Sequence, residues 1–410
     1  MAQTQGSMEE VVAAFQKRFG GTPTHFVRAP GRVNLIGDHT DYNGLAVLPM
    51  ALQREARIYF RPRSDGMVML HDLDDRFAPL EFEIGPGIPR EPDGHWGNYV
   101  KASANELARR FAIWRGLDGV LHSDIPVAAG LSSSSAIVVA AGLALAHINE
   151  VPVEERAFAE LMADAERYTG TRGGAMDQAI SLGGHKGCAA KITFGPLRLR
   201  PVSIPADWSF VVADTGVRAE KSGAAQNIYN LRRSECEDAL SEIIDEIVRA
   251  DRLSVIPTDY AALLRAMPAA DALAAAEDVL RGNLLRRFRH VVTEAARVDE
   301  AVDRIRGADL SGFGTLMDAS HGSLRGDFLV STAELDDLAA IAREGGASGA
   351  RLTGAGLGGC IVALSDRSTV ETVLETLVAE YYEPRKLTDA LDDRLFVAVA
   401  SPGASVGVLS

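Results

Sequence analysis

Residues 29–44, APGRVNLIGDHTDYNG, gather Arg32, Asp38, His39, Asp41, Tyr42 and Asn43 into one short segment punctuated by Pro30, Gly31, Gly37 and Gly44. Donors and acceptors of different geometry, pinned close together, suit a ligand that carries several hydroxyls at fixed angles. For any one of these residues a solvated polar turn is the plainer reading. The apolar VNLI and AVLPM stretches on either side favour a buried cluster instead. The spacing of Asp and His matches no zinc motif.

A second segment, 126–142 (PVAAGLSSSSAIVVAAG), runs a Gly/Ser loop straight into an apolar helix. The free N–H groups and the dipole of such a helix start favour an anion, and the hydroxyls add donors and a Mg²⁺ ligand. A plain N-cap needs one serine, not four. The chain has no Gly-Lys dipeptide, so the P-loop pattern is absent and any nucleotide is bound by another architecture. In 165–184 (AERYTGTRGGAMDQAISLGG), Glu166 falls late in a helix and Asp177 follows a Gly-Gly turn. Two carboxylates near a phosphate loop can divide the work, one on Mg²⁺ and one on an attacking hydroxyl. The competing readings are a solvated face for Glu166 and a helix N-terminal charge for Asp177. In 349–360 (GARLTGAGLGGC) the glycines fit G-x-G-x-x-G, but the apolar CIVAL that follows reads as a strand. The dinucleotide fingerprint needs strand, turn and helix, so a close-packed glycine turn between two strands is the better account. His290 and His321 fall in helical stretches and read as ordinary core or surface histidines.

These segments need elements to hold them. Ser7 and Glu10 form a capping box for a helix that Gly20-Gly21 stops. Strands are expected at 55–60, 79–84, 118–125, 187–194, 208–214, 349–353, 360–364 and 394–400. Helices are expected at 98–113, up to 148 after the serine loop, at 153–168, 175–183 and 368–382, and over most of 222–345. This mixed order predicts an α+β fold. A chain of 410 residues is too long for one small core, so two domains of roughly 200 residues are expected, 1–205 and 206–410.

Composition sets the outer limits. The net charge of −14 has the wrong sign for a general nucleic-acid binder. Three widely spaced cysteines cannot form a disulfide framework, and no C-x-x-C pair exists for zinc. No signal peptide and no membrane-spanning run is present, so a cytoplasmic protein with no membrane partner is expected.

Taken together, GRVNLIGDHTDYNG, GLSSSSA after Pro126, MDQ and TGAGLGGC resemble the galactokinases of the GHMP small-molecule kinases. Smaller echoes are HWGNYVK (95–101), YNLRRSECE (229–237) and FRHVVTEAARV (288–298). The resemblance implies a ribosomal protein S5 domain 2-like N-terminal domain, a ferredoxin-like C-terminal domain and an active site between them. It implies a monomer that uses ATP and Mg²⁺ to phosphorylate the anomeric hydroxyl of a small-molecule sugar, galactose. By matching position, Asp177 becomes the catalytic base and Arg32 its partner. Ser134 and Glu166 become the magnesium ligands. Asp38, His39, Asp41, Gly174 and Tyr229 face the sugar. Gly130, Leu131, Ser132, Ser133 and Ser134 cradle the phosphates, and Trp96 lies near the adenine. The family usually has Glu where this chain has Asp38, a side chain shorter by roughly 1.5 Å. The serine loop and TGAG look closer to N-acetylgalactosamine and arabinose kinases, so those sugars are the alternatives. A non-catalytic sugar and ATP sensor is a further one, and a GHMP kinase for a non-sugar alcohol a third.

Overall fold

The computed structural model describes residues 8–218, 223–250 and 255–409. In the first part of the chain α1 (Met8–Phe19) precedes β1 (His25–Asn34), β2 (Pro49–Pro62), β3 (Met67–Asp72) and β4 (Leu80–Glu83). Then come α2 (Gly97–Phe111), β5 (Leu117–Ser123), α3 (Ser133–Ile148), α4 (Glu155–Glu166) and α5 (Met176–Gly183). Strands β6 (Cys188–Thr193), β7 (Arg198–Ser203) and β8 (Trp208–Asp214) follow. A helical stretch comes next: α6 (Gly223–Arg249), α7 (Tyr260–Ala266), α8 (Ala269–Val279), α9 (Gly282–Arg306), α10 (Leu310–Ser323) and α11 (Ala333–Glu344). The chain ends through β9 (Gly349–Leu352), β10 (Cys360–Asp366), α12 (Val370–Leu377), α13 (Leu391–Arg394), β11 (Leu395–Ala398) and β12 (Ser405–Val408).

Six strands form one sheet in the order β12-β1-β2-β5-β3-β4. Helix α3 lies on β1 and β2, with α2 and α4 on its other side. It is apolar all round because it is covered all round: Val138, Val139, Ala140, Leu145 and Ala146 are all at most 1% exposed. A second, antiparallel sheet has the order β11-β8-β10-β9. Ranked along the chain this is 4-1-3-2, the ferredoxin-like order that the resemblance implies, with α6 to α11 inserted between its first two strands. The apolar core of the first sheet runs on into Phe210, Val298, Phe313 and Met317, so the two halves share one buried mass.

Most expected elements are present with shifted ends. The helix expected at 368–382 is α12 followed by a π-helical turn, Val378–Tyr382. The strand expected at 55–60 is part of the longer β2. β1 and β3 fall within 25–84, a region of several strand-like stretches, whereas the charged β7 (RLRPVS) and the short edge strand β12 carry too little apolar pattern to be read from sequence. β12 pairs with β1 in the first sheet although it falls in the expected domain 206–410. Ser7 of the expected capping box lies outside the described residues.

Candidate active site

The site begins with an irregularity in β1. Its pairing with β2 shifts register between Pro30 and Arg32, a bulge that re-aims a side chain. Gly31 sits here because a Cβ would lie 2.7 Å from the Leu131 carbonyl oxygen. Arg32 is thereby pointed at α5 and the serine loop. Its Nε donates to Asp177 Oδ1 at 2.8 Å, and its Nη1 donates to the Gly130 carbonyl at 2.6 Å. Ser132 stands at the N-cap position of α3 but does not cap the helix with its side chain. Its hydroxyl donates instead to Asp177 Oδ2 at 2.5 Å. The first amides of α3 are therefore left without the usual side-chain acceptor.

Two cavities meet at this point. The first is lined by Arg32, Asp38, His39, Asp41, Glu166, Gly174, Asp177 and Tyr229. The second is lined by Trp96, Gly130, Ser132, Ser133 and Ser134 together with β11 and the end of β8. The bonds from Ser132 to Asp177 and from Ser134 to Glu166 (3.2 Å) cross between them. Residues from distant parts of the chain are thus brought together. Leu131 does not join the lining: its side chain is in the core, and its carbonyl accepts from Arg32 N–H. The Trp96 indole N–H donates to the Ala78 carbonyl at 3.0 Å and leaves the ring to wall the second cavity.

Glu166 is 7% exposed and accepts from three neutral donors: Ser134, Ser135 (2.8 Å) and the Gln178 amide (2.5 Å). A buried carboxylate held by hydroxyls and an amide fits a hard cation that takes its other ligands from phosphate and water.

In the same cavity, burial followed by the nearby charge of Asp177 pushes the Asp41 carboxyl up to about 6. Gly174 packs directly on Asp41, where a Cβ would lie 2.2 Å from Oδ2. His39 is neutral, since burial takes its imidazole down to about 3. Its Nε2 faces the Ala355 carbonyl at 3.2 Å and must donate, so Nδ1 accepts from Tyr42 O–H at 2.8 Å. Both ring nitrogens therefore have protein partners. Asp38 also spends both oxygens on protein: Oδ2 accepts from Arg351 at 2.6 Å and Oδ1 from the Gly354 amide at 3.2 Å. Burial pushes its carboxyl up, against the pull of Arg351.

Sequence reasoning did not find Arg351, Gln178, Ser135 or Glu294. Arg351 is 0% exposed and also donates to the Asn34 carbonyl (3.0 Å) and Ser320 (3.1 Å). An arginine inside an otherwise apolar strand was the available signal, because such a residue is buried only when paired. His290 is no surface histidine. It and Glu294, one turn apart on α9, hold the 37–38 backbone: His290 Nε2 bonds the Asp38 carbonyl at 3.1 Å, and Glu294 accepts from Gly37 N–H at 2.9 Å. The glycine turn expected at 354–359 joins antiparallel β9 and β10. It packs backbone to backbone on the serine loop, since a Cβ at Gly354 would lie 2.6 Å from the Gly130 oxygen. Among the described residues no helix is long and apolar enough to cross a membrane.

Comparison with known proteins agrees with this architecture. Residues 98–185 match the GHMP kinases N terminal domain and 300–383 the GHMP kinases C terminal. The fold is also similar to a mevalonate kinase from Methanococcus jannaschii, with a TM-score of 0.61 at 18% identity over 92% of this chain and 98% of that one. Fold and site together define a GHMP kinase. Residues 13–62 match the galactokinase galactose-binding signature. The chain is 37% identical to a galactokinase of Chloroflexus aggregans over 91% of its own length and 92% of the relative. It is 34% identical to one of a Roseiflexus species over 96% of each. Its structure is similar to Lactococcus lactis galactokinase complexed with galactose, with a TM-score of 0.83 at 28% identity, covering 96% of this chain and 98% of that one. The chain belongs to the galactokinase family.

Proposed function

We propose that this protein is an ATP-dependent sugar 1-kinase that converts galactose to galactose 1-phosphate. The observation that carries the reading is the place of Asp177, whose carboxylate stands where a polar, hydroxyl-matching cavity meets the open start of a helix. The galactokinase relatives support the choice of sugar.

ATP supplies the phosphoryl group; Glu166 and Ser134 would hold a Mg²⁺ ion, which would supply positive charge against the phosphate oxygens. Asp177 takes the proton of the anomeric hydroxyl as that oxygen bonds to phosphorus and ADP leaves, a device worth about 10²–10⁴ in rate. Arg32 fixes the carboxylate by a charge-assisted bond and brings a positive charge to the reacting end of the cavity. Asp41, Gly174 and Tyr229 form the sugar wall, and Trp96 with Gly130 and Ser132 to Ser134 forms the nucleotide wall. The cytoplasm, where ATP is available, is the setting this activity requires.

The test is ADP release with Mg-ATP against galactose, N-acetylgalactosamine, L-arabinose, glucose and mevalonate, with Asp177→Asn as background. Preferred turnover of galactose is expected. Preference for another sugar would keep the mechanism and overturn the substrate. Binding of sugar and ATP without turnover would overturn the kinase.

A further inference from the structure

The motif YNLRRSECE lies on α6, outside both cavities except for Tyr229. Gln226, Asn230, Arg233 and Glu237 recur at helical spacing and form one polar stripe on that helix. The stripe faces the backbone of residues 169–173. Gln226 donates to the Thr169 carbonyl (3.3 Å) and Asn230 to the Gly170 carbonyl (3.3 Å). The Asn230 amide oxygen accepts from Arg172 N–H (3.2 Å). Arg233 Nη1 donates to the carbonyls of Arg172 (2.6 Å) and Gly173 (3.4 Å), while its Nε donates to Glu237 (2.9 Å). Its guanidinium also lies over the Tyr42 ring, 5.6 Å from the centroid. Tyr42 is the residue whose hydroxyl fixes His39, so one side chain touches both loops that wall the first cavity. Those loops meet in front of it, where Gly174 abuts Asp41.

We infer that Arg233 is a positioning residue that pins the two sugar-facing loops, 38–43 and 169–174, to one another. It does not line the cavity and touches no reacting group. Its charge is partly balanced by Glu237, which leaves the guanidinium free to bind carbonyl dipoles and a ring face. Helix α6 belongs to the second half of the chain and both loops to the first, so the sugar wall is held from across the fold.

The inference rests on the sugar-kinase reading of the cavity, and the experiment separates the two. Arg233→Gln is compared with the wild-type enzyme in steady-state kinetics and in hydrogen exchange without ligands. Loss of charge-assisted bonds to both loops predicts a rise of about tenfold in KM for the sugar, with KM for ATP and kcat within about threefold. Amides of 170–174 and of 41–44 should exchange faster together, with the thermal midpoint little changed because Arg233 sits at the rim of the core. Arg233→Lys keeps the charge over Tyr42 and should fall between the two. Unchanged exchange in both loops, or faster exchange in only one, would overturn the pin. So would equal rises in KM for sugar and ATP, which mark a general loosening. A wild-type enzyme that turns over no galactose would sink the functional reading and leave the exchange measurement to decide the role of Arg233. If Arg233→Gln does not fold, Glu237→Gln supplies the milder variant, with the same paired rise in exchange expected.

Discussion

Two arginine–aspartate pairs contribute to the wall of the first cavity, and they differ in access. Arg32–Asp177 stands at the junction of the cavities, with side chains 4% and 12% exposed. Arg351–Asp38 is sealed, at 0% and 2%. Asp177 accepts from the Arg32 guanidinium and from the hydroxyls of Ser132 and Ser135 (2.5 and 3.4 Å) where the two cavities meet. Asp38 is tied to Arg351 and to the Gly354 amide, within a network that continues to Asn34, Ser320 and Glu294. The same two residue types make an ion pair at the junction of the cavities in one place and a buried tie in the cavity wall in the other. Access decides the role, not the ion pair itself.

The largest expected effect tests the open pair. Asp177→Asn keeps the shape and removes the base, so kcat should fall by at least about 10²–10⁴ while sugar affinity from calorimetry stays within a few-fold. Turnover near the wild-type rate would show that the open pair is no more reactive than the sealed one.

The sealed pair should show itself in stability. Arg351→Met leaves Asp38 buried and uncompensated, a loss of about 3–5 kcal/mol in chemical denaturation at neutral pH. Burial already pushes the Asp38 carboxyl up, with Arg351 the foremost opposing charge, then Arg32. In the variant the folded state therefore binds a proton more readily than the unfolded chain. Its deficit relative to wild type should shrink as pH falls and grow as pH rises. The double variant Arg351→Met/Asp38→Leu removes both charges and should recover most of the loss. A double variant no better than the single would show that the cost lies in packing.

The smallest effect sharpens the contrast within the sugar wall. Asp41 is raised to about 6 by burial and then by Asp177, so it gains a proton as pH falls through that value. A protonated Asp41 loses acceptor capacity, and KM for the sugar should rise several-fold from about pH 7 to about pH 5. Asp41→Asn should bind more weakly and lose that dependence. A flat wild-type profile would place Asp41 among the struts, with Asp38.

The sequence reveals the reactive end better than the supporting one. Arg32, Ser132, Ser134, Glu166 and Asp177 lie in segments whose composition is abnormal for ordinary helices and turns: four serines in a row, carboxylates beside glycine pairs. Such departures from local rules mark sites. Arg351, His290 and Glu294 sit in ordinary-looking strands and helices, and their partners are 252 to 317 positions away along the chain. No local pattern encodes such a pairing. The same limit hid β12, whose four residues gain their meaning only from the edge of β1.

What the amino-acid order determined by itself is the local chemistry: a serine-rich helix start after a glycine loop, a close-packed glycine turn, a polar cluster rich in hydroxyl-matching groups, and an α+β pattern of elements. Periodicity, capping and backbone sterics act over a few residues, and a sequence displays them directly. Only the tertiary structure decided which acid of the cavity wall stands at the junction, which one is tied to a buried arginine, that His39 has both nitrogens engaged, and that helices from the second half hold the loops of the first. Those outcomes depend on burial and on distances across the fold. Both arise when remote segments exclude water from between them, and neither is written in any window of the chain.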